Sequence, residues 1–284
     1  MRLVVDTNFL ETDEFGYYLS DPANAAVVPD LAIIETLAGR DLPSIYRQLR
    51  HLIEHPSQVI VLKPTADVGR LRPRRRSRGL QRRIIDKKTT TGFPNWSALT
   101  KEAEAGDENL QAQITRKCEM AAEDLAAIAK KQETYAENLA AHSKKYTATE
   151  LKILRTGEPV TPELFSKISE NIFEMARSQF AADGHFKRLP FARDLANTFI
   201  FRYAVSGYVH VLRCIKDGGM NGASPDNIRN SLVDALFAAY ASYFDGFLSN
   251  DKRSQEVYGT TCELLQIFHR HFKTPQPKAQ DGAQ

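Results

Sequence analysis

Three short apolar runs, two before residue 65 and one near residue 247, constrain the fold of this chain more than any other feature. Leu3-Val4-Val5 ends at Asp6, Val59-Ile60-Val61-Leu62 is closed by Pro64, and Phe247-Leu248 breaks into Ser249-Asn250-Asp251. Short runs without polar alternation read as strands covered on both faces, the pattern of a parallel sheet. Such a sheet needs helices on its faces, and helical patterns lie between the runs. Pro29-Asp30 opens a helix through Leu31, Ile34, Leu37 and Ala38 that Gly39 can end. Pro43 opens a second, with Ile45, Leu49, Leu52 and Ile53 on one face, stopping before Pro56. The first 64 residues therefore read strand, helix, helix, strand.

The middle segment, 65–189, has another character. It opens with Arg70, Arg72, Arg74, Arg75, Arg76, Arg78, Arg82, Arg83, Lys87 and Lys88, with Asp86 the only acid among them. This run suits a flexible phosphate-binding arm, whose affinity would fall with salt. A loop is expected around Thr89 to Pro94. From Asp107 to Tyr146 a near-heptad seam (Leu110, Ile114, Cys118, Ala121, Leu125, Ile128) predicts a long helix with a packing partner. The helix from Pro162 to about Ala182 is the expected partner, making a hairpin that projects from the body. A homodimer through the same seam is the alternative.

Residues 190–272 again read as globular. A helix is expected from Phe191 to Lys216, another from Ser224-Pro225-Asp226, and a last one carrying Val257, Leu264 and Phe268. The tail, 273–284, is polar and reads as disordered. Setting 65–189 aside leaves 159 residues, enough for one α/β domain, whereas neither flank alone could bury a good core. The expectation is thus one discontinuous α/β domain, 1–64 and 190–272, interrupted by a basic and helical insertion.

Composition excludes several classes. With 42% hydrophobic and 26% charged residues the chain is neither collagen-like nor disordered overall. Three scattered cysteines offer neither a zinc set nor a disulfide framework. A net charge of +3 is too small to argue for nucleic-acid binding by itself. No signal peptide fits the opening, and Phe199–Ile215 contains Arg202, His210 and Arg213, too polar for a bilayer. A soluble, cytoplasmic protein with no membrane contact is expected.

Four acids mean more together than apart. Asp6 and Asp251 follow predicted strands, and strand carboxyl ends share the edge where parallel sheets bind ligands. Glu35, between Ile34 and Leu37, and Asp234, in Asn230-Ser231-Leu232-Val233-Asp234, sit on helices that can reach that edge. Like charges so placed repel, and a divalent cation removes the penalty. Carboxylates without a His or Cys set favour Mg2+ or Mn2+ over zinc, and hence metal-assisted phosphoryl chemistry.

These residues carry a resemblance. Val4-Val5-Asp6-Thr7-Asn8, then Glu35, then Asp234 followed by Ser249-Asn250-Asp251-Lys252, resemble the PIN-domain nucleases over 1–64 and 190–270. The resemblance implies a PIN-like α/β fold and magnesium- or manganese-dependent cleavage of single-stranded RNA, leaving 3′-hydroxyl and 5′-phosphate ends. It implies metal-ligand roles for Asp6, Glu35, Asp234 and Asp251. Asn8 and Ser249 would be polar supports, Asn230 would orient Asp234 from one turn away, and Lys252 would touch phosphate beside the arm. The 125-residue insertion departs from the compact pattern of the family and would select or grip the substrate. A toxin-type ribonuclease restrained by an inhibitory partner protein is a variant of the same reading. The alternatives are a structure-specific DNA nuclease, and a catalytically silent module binding nucleic acid or protein.

Overall fold

Four parallel strands, in the order β3-β2-β1-β4, organise the chain. They are β1 (Arg2–Val5), β2 (Ala25–Val28), β3 (Val59–Val61) and β4 (Gly246–Leu248). The computed structural model describes residues 1–38, 41–72, 77–130, 141–142, 144–186, 188–217 and 225–273, with backbone alone for 77–78, 128–130, 183, 192–193, 225–230 and 271–273. The chain winds outward from β1 to β3, then returns to lay β4 on the other side of β1. That reversal makes the β1/β4 border the switch point of the sheet, where a crevice opens at the strand carboxyl ends.

Two elements of the first segment differ from the sequence reading. β2 precedes Pro29, where only the start of a helix was expected. A four-residue run covered on both faces has no period to betray it, and Ala26, Val27 and Val28 are fully buried. A helix α1 (Asp13–Ser20), capped by Thr12, also crosses from β1 to β2. It buries only Phe15 and Leu19, too thin a stripe to stand out. The two expected helices are α2 (Asp30–Leu37) and α3 (Leu42–Glu54).

The middle segment overturns more. Beyond α4 (Thr65–Gly69) and α5 (Ser77–Ile84), the expected loop at 89–94 lies inside a helix, α6 (Lys87–Glu104). Asp86 caps it by accepting from the Thr89 N–H at 3.0 Å, and Phe93 pins it to the core. Gly106, at φ +112°, supplies a left-handed turn into α7 (Glu108–Lys130). The hairpin therefore joins α6 and α7, and α7 lies on α2 and α6. The far end of the predicted seam does meet the helix at 162, where Tyr146 packs with Leu164, Ile168 and Ile172. The outer part of the predicted seam, 131–140, lies outside the described residues.

Further helices are α8 (Ala148–Thr156), α9 (Pro162–Asp183), α10 (Ala192–Leu195), α11 (Phe199–Lys216), α12 (Pro225–Ala241) and α13 (Lys252–Lys273). The helix expected from Phe191 is interrupted, because Thr198 caps a fresh start by accepting from the Phe201 N–H at 3.2 Å. α9 packs on α11.

Two large apolar clusters hold the molecule together, beside a small third of Val209, Ala238 and Val257. One surrounds the sheet and draws Leu80, Ile84, Phe93 and Ala121 from the middle segment in beside Val4, Val5 and Val27. The other joins Leu164, Ile168 and Ile172 of α9 to Phe201 and Tyr208 of α11 and Phe268 of α13. Leu80 and Ile84 are both fully buried. Burial of each is worth about 1.5–3 kcal/mol, against about 0–1 kcal/mol for a surface ion pair. Apolar anchoring therefore fixes α5, and this part of the basic run is not a free arm. Among the described residues no helix is long and apolar enough to cross a membrane.

Candidate functional site

The border of β1 and β4 brings the two ends of the chain into register. Val5 pairs with Leu248, and the Asp6 N–H donates to the Leu248 carbonyl at 2.9 Å. A Cβ on Gly246 would meet Leu3 Cδ2 at 2.9 Å, so a larger residue there would have to move that side chain. Asp6 and Ser249 thus leave the sheet side by side. The Ser249 hydroxyl donates to Asp6 Oδ2 at 2.6 Å and accepts from the Asp251 N–H at 3.1 Å. Asn8 Oδ1 accepts from the Asn250 N–H at 3.1 Å. The side chains of Asn8 and Ser249 therefore tie the two strand exits together.

The other acids arrive on helices. Glu35, on α2, accepts the Thr7 hydroxyl on Oε2 at 2.7 Å. The Thr7 carbonyl in turn accepts from Gln48 Nε2 of α3 at 3.0 Å. Asp234, on α12, accepts the Ser254 hydroxyl on Oδ1 at 2.8 Å, and that same hydroxyl lies 3.0 Å from Asp251 Oδ2. One hydroxyl proton can serve only one of the two. Asp251 also caps α13, its Oδ1 accepting from the Arg253 N–H at 2.8 Å. All four carboxylates line a single open cleft of ≈ 490 Å³, with Thr7, Gln48, Leu125 of α7 and a fifth acid, Glu11.

Burial sets the electrostatics. It pushes the Asp6 carboxyl above its ordinary value, against the Ser249 hydroxyl and the Thr7 N–H, which favour the charged form. Asp234 is pushed up to about 7, first by burial and then by the charges of Asp6 and Asp251, with the Ser254 hydroxyl opposing. Behind Asp234 stands His210 of α11, fully buried, its Nε2 4.0 Å from Asp234 Oδ2. Neither ring nitrogen has a hydrogen-bond partner among the described residues. Burial, then the cations Arg253 and Arg213, depress its pKa to about 3, so the ring is neutral.

The donor set bears on metal binding in two ways. Every side chain of the acidic set offers hard oxygen, which suits Mg2+ or Mn2+. Yet among the described residues no three His, Cys, Asp or Glu side chains are grouped as a ready metal-holding set. Each carboxylate has a hydroxyl as a neutral neighbour, and Asp234 and Asp251 share the one of Ser254.

Of the other expected site residues, the Asn230 side chain and those of Arg74, Arg75, Arg76 and Arg78 lie outside the described residues. Arg70, Arg72, Arg82 and Lys252 are exposed, while Arg83 is half-buried. Arg83 donates to the Arg72 carbonyl at 2.7 Å, so one guanidinium of the run helps to hold its own backbone. The sequence reading missed Thr7, Gln48, Ser254 and His210. Two left a trace: Gln48 interrupts the apolar stripe Ile45-Leu49-Leu52, and Ser254 stands at the capping distance from Asp251.

No family model, curated protein or solved structure matches this chain.

Proposed function

We propose that the protein is a PIN-like, divalent-metal-dependent endoribonuclease. The observation that carries the reading is that four carboxylates, from the exit of β1, α2, α12 and the exit of β4, line one cleft at the switch point of a parallel sheet. Asp6, Glu35, Asp234 and Asp251 would hold Mg2+ or Mn2+. When bound, the metal supplies an activated water and neutralises charge on the phosphodiester. The chain's own part is positional. Ser249 and Ser254 hold Asp6 and the Asp234/Asp251 pair, Thr7 and Gln48 fix Glu35 against the strand exit, and the exposed Lys252 and Arg82 would attract the RNA backbone.

One observation favours a second reading, a silent nucleic-acid-binding module: each of the four carboxylates already has a hydroxyl neighbour, and no three converge. A cleavage assay separates the two, and tests a DNA nuclease beside them. Purified protein with Mn2+, Mg2+ or EDTA is given single-stranded RNA, duplex RNA and flap DNA, alongside Asp6→Asn and Asp251→Asn. RNA cleavage that needs the metal and disappears in both variants is expected. Cleavage of DNA alone would transfer the proposal to DNA, and binding without cleavage, unchanged in the variants, would leave the silent module.

A further inference from the structure

We infer that a second groove, on another face of α2, is a subsite for one base of the RNA strand, with Trp96 as its stacking surface. This rests on RNA being the substrate. The groove measures ≈ 700 Å³ and lies between α2, the end of β3, α6 and α7. Its walls are apolar, from Ile34 and Leu37 on one side to Phe93 and Trp96 on the other. Trp96 is half-buried and held against Phe93, ring centroids 5.1 Å apart.

The rim decides the occupant. Lys88 and Lys117 line the groove and are exposed, and Lys88 is the last cation of the basic run. Two carboxylates also lie in the lining, but both are engaged. Asp86 caps α6 through Thr89, and Asp30 accepts both the N–H and the hydroxyl of Thr65 at 2.7 Å. An apolar groove with an aromatic wall and a cationic rim matches a nucleobase with flanking phosphates. An apolar peptide segment would draw on the walls and leave the lysines without purpose.

The groove and the acidic cleft lie along the same two helices. Glu35 and Ala38 face the cleft from α2 while Ile34 and Leu37 face the groove, and α7 contributes Leu125 to one and Ile114 and Lys117 to the other. A strand whose scissile phosphate lay at the acids could seat a neighbouring base against Trp96.

Trp96 is the single tryptophan, so the full chain carries its own probe. In EDTA, hexauridylate is titrated while tryptophan fluorescence is followed, beside an abasic phosphodiester oligomer of equal length. Anisotropy of labelled hexauridylate is then measured for Trp96→Leu and Lys117→Glu. Saturable quenching by hexauridylate but not by the abasic oligomer is expected, with affinity falling roughly tenfold in Trp96→Leu. Hexauridylate that binds equally well to Trp96→Leu and leaves the fluorescence unmoved overturns the groove and spares the nuclease reading. Quenching without any cleavage when Mn2+ is restored upholds the groove and removes the nuclease. No binding at all overturns the groove, and the nuclease reading is then decided by cleavage with Mn2+. Should Trp96→Leu fail to fold, the wild-type fluorescence and the surface variant Lys117→Glu decide alone.

Discussion

Two polar residues on α11, Arg202 and His210, are both buried, and the chain treats them in opposite ways. Arg202 is fully provided for: Nε donates to the Ala196 carbonyl at 3.1 Å, Nη1 donates to the carbonyl and hydroxyl of Ser242, and the guanidinium stacks 3.8 Å over the Tyr243 ring. His210 has no hydrogen-bond partner among the described residues and lies behind Asp234, its Nε2 4.0 Å from Asp234 Oδ2. The satisfied cation staples α11 to the end of α12 and is architecture. An orphaned polar ring costs stability, and it stands beside Asp234, a buried acid crowded by the charges of Asp6 and Asp251. Sites that work against stability cluster where chemistry is done.

The sharpest way to break this contrast is at the acids. Asp6→Asn removes a like charge from a crowded cleft, so it should leave the fold intact or firmer while abolishing metal-dependent cleavage. Loss of activity together with loss of the thermal transition would make Asp6 architecture like Arg202. Next in size, Arg202→Met leaves the Ala196 and Ser242 carbonyls without their donor. It should lower stability by about 3 kcal/mol, read as an earlier urea midpoint. A variant as stable as wild type would show that these contacts carry no weight.

A smaller effect separates the acids by pH. Asp234 has a folded pKa of about 7 against an ordinary 3.8. The folded state therefore holds the proton more tightly, and stability falls as pH rises from about 4 through 7. In EDTA, Asp234→Asn should remove most of that fall and be more stable at pH 8 by about 2 kcal/mol, measured by denaturant titration at several pH values. Equal slopes for the two proteins would place Asp234 in water. The mildest test is His210→Leu, which should raise stability by about 1 kcal/mol yet weaken Mn2+ binding measured by calorimetry. Stabilisation without any change in metal affinity would make His210 ordinary filling.

What the sequence made legible follows from what can be read locally. Leu3-Val4-Val5 and Val59-Ile60-Val61 announced themselves because β-branched runs bounded by Asp6 and Pro64 have few other uses. Ala25–Val28 did not, since the following Pro29 makes an equally good helix start. The acidic set was legible because strand exits converge on one edge of a parallel sheet, and all four acids line one cleft there. Their holders were not, because Thr7, Gln48 and Ser254 matter only through a partner brought by another element. The seam of α7 showed the same limit. Its stripe promised a mate and could not say that the mate was α2.

The pairing of β1 with β4 has a consequence in time. Asp6 and the Ser249 that holds it are 243 residues apart along the chain. A ribosome emitting this polypeptide releases the first acid early, and the cleft closes only after the last strand has emerged. Throughout synthesis the nascent chain hangs beside the very message that encodes it, with its acids still apart.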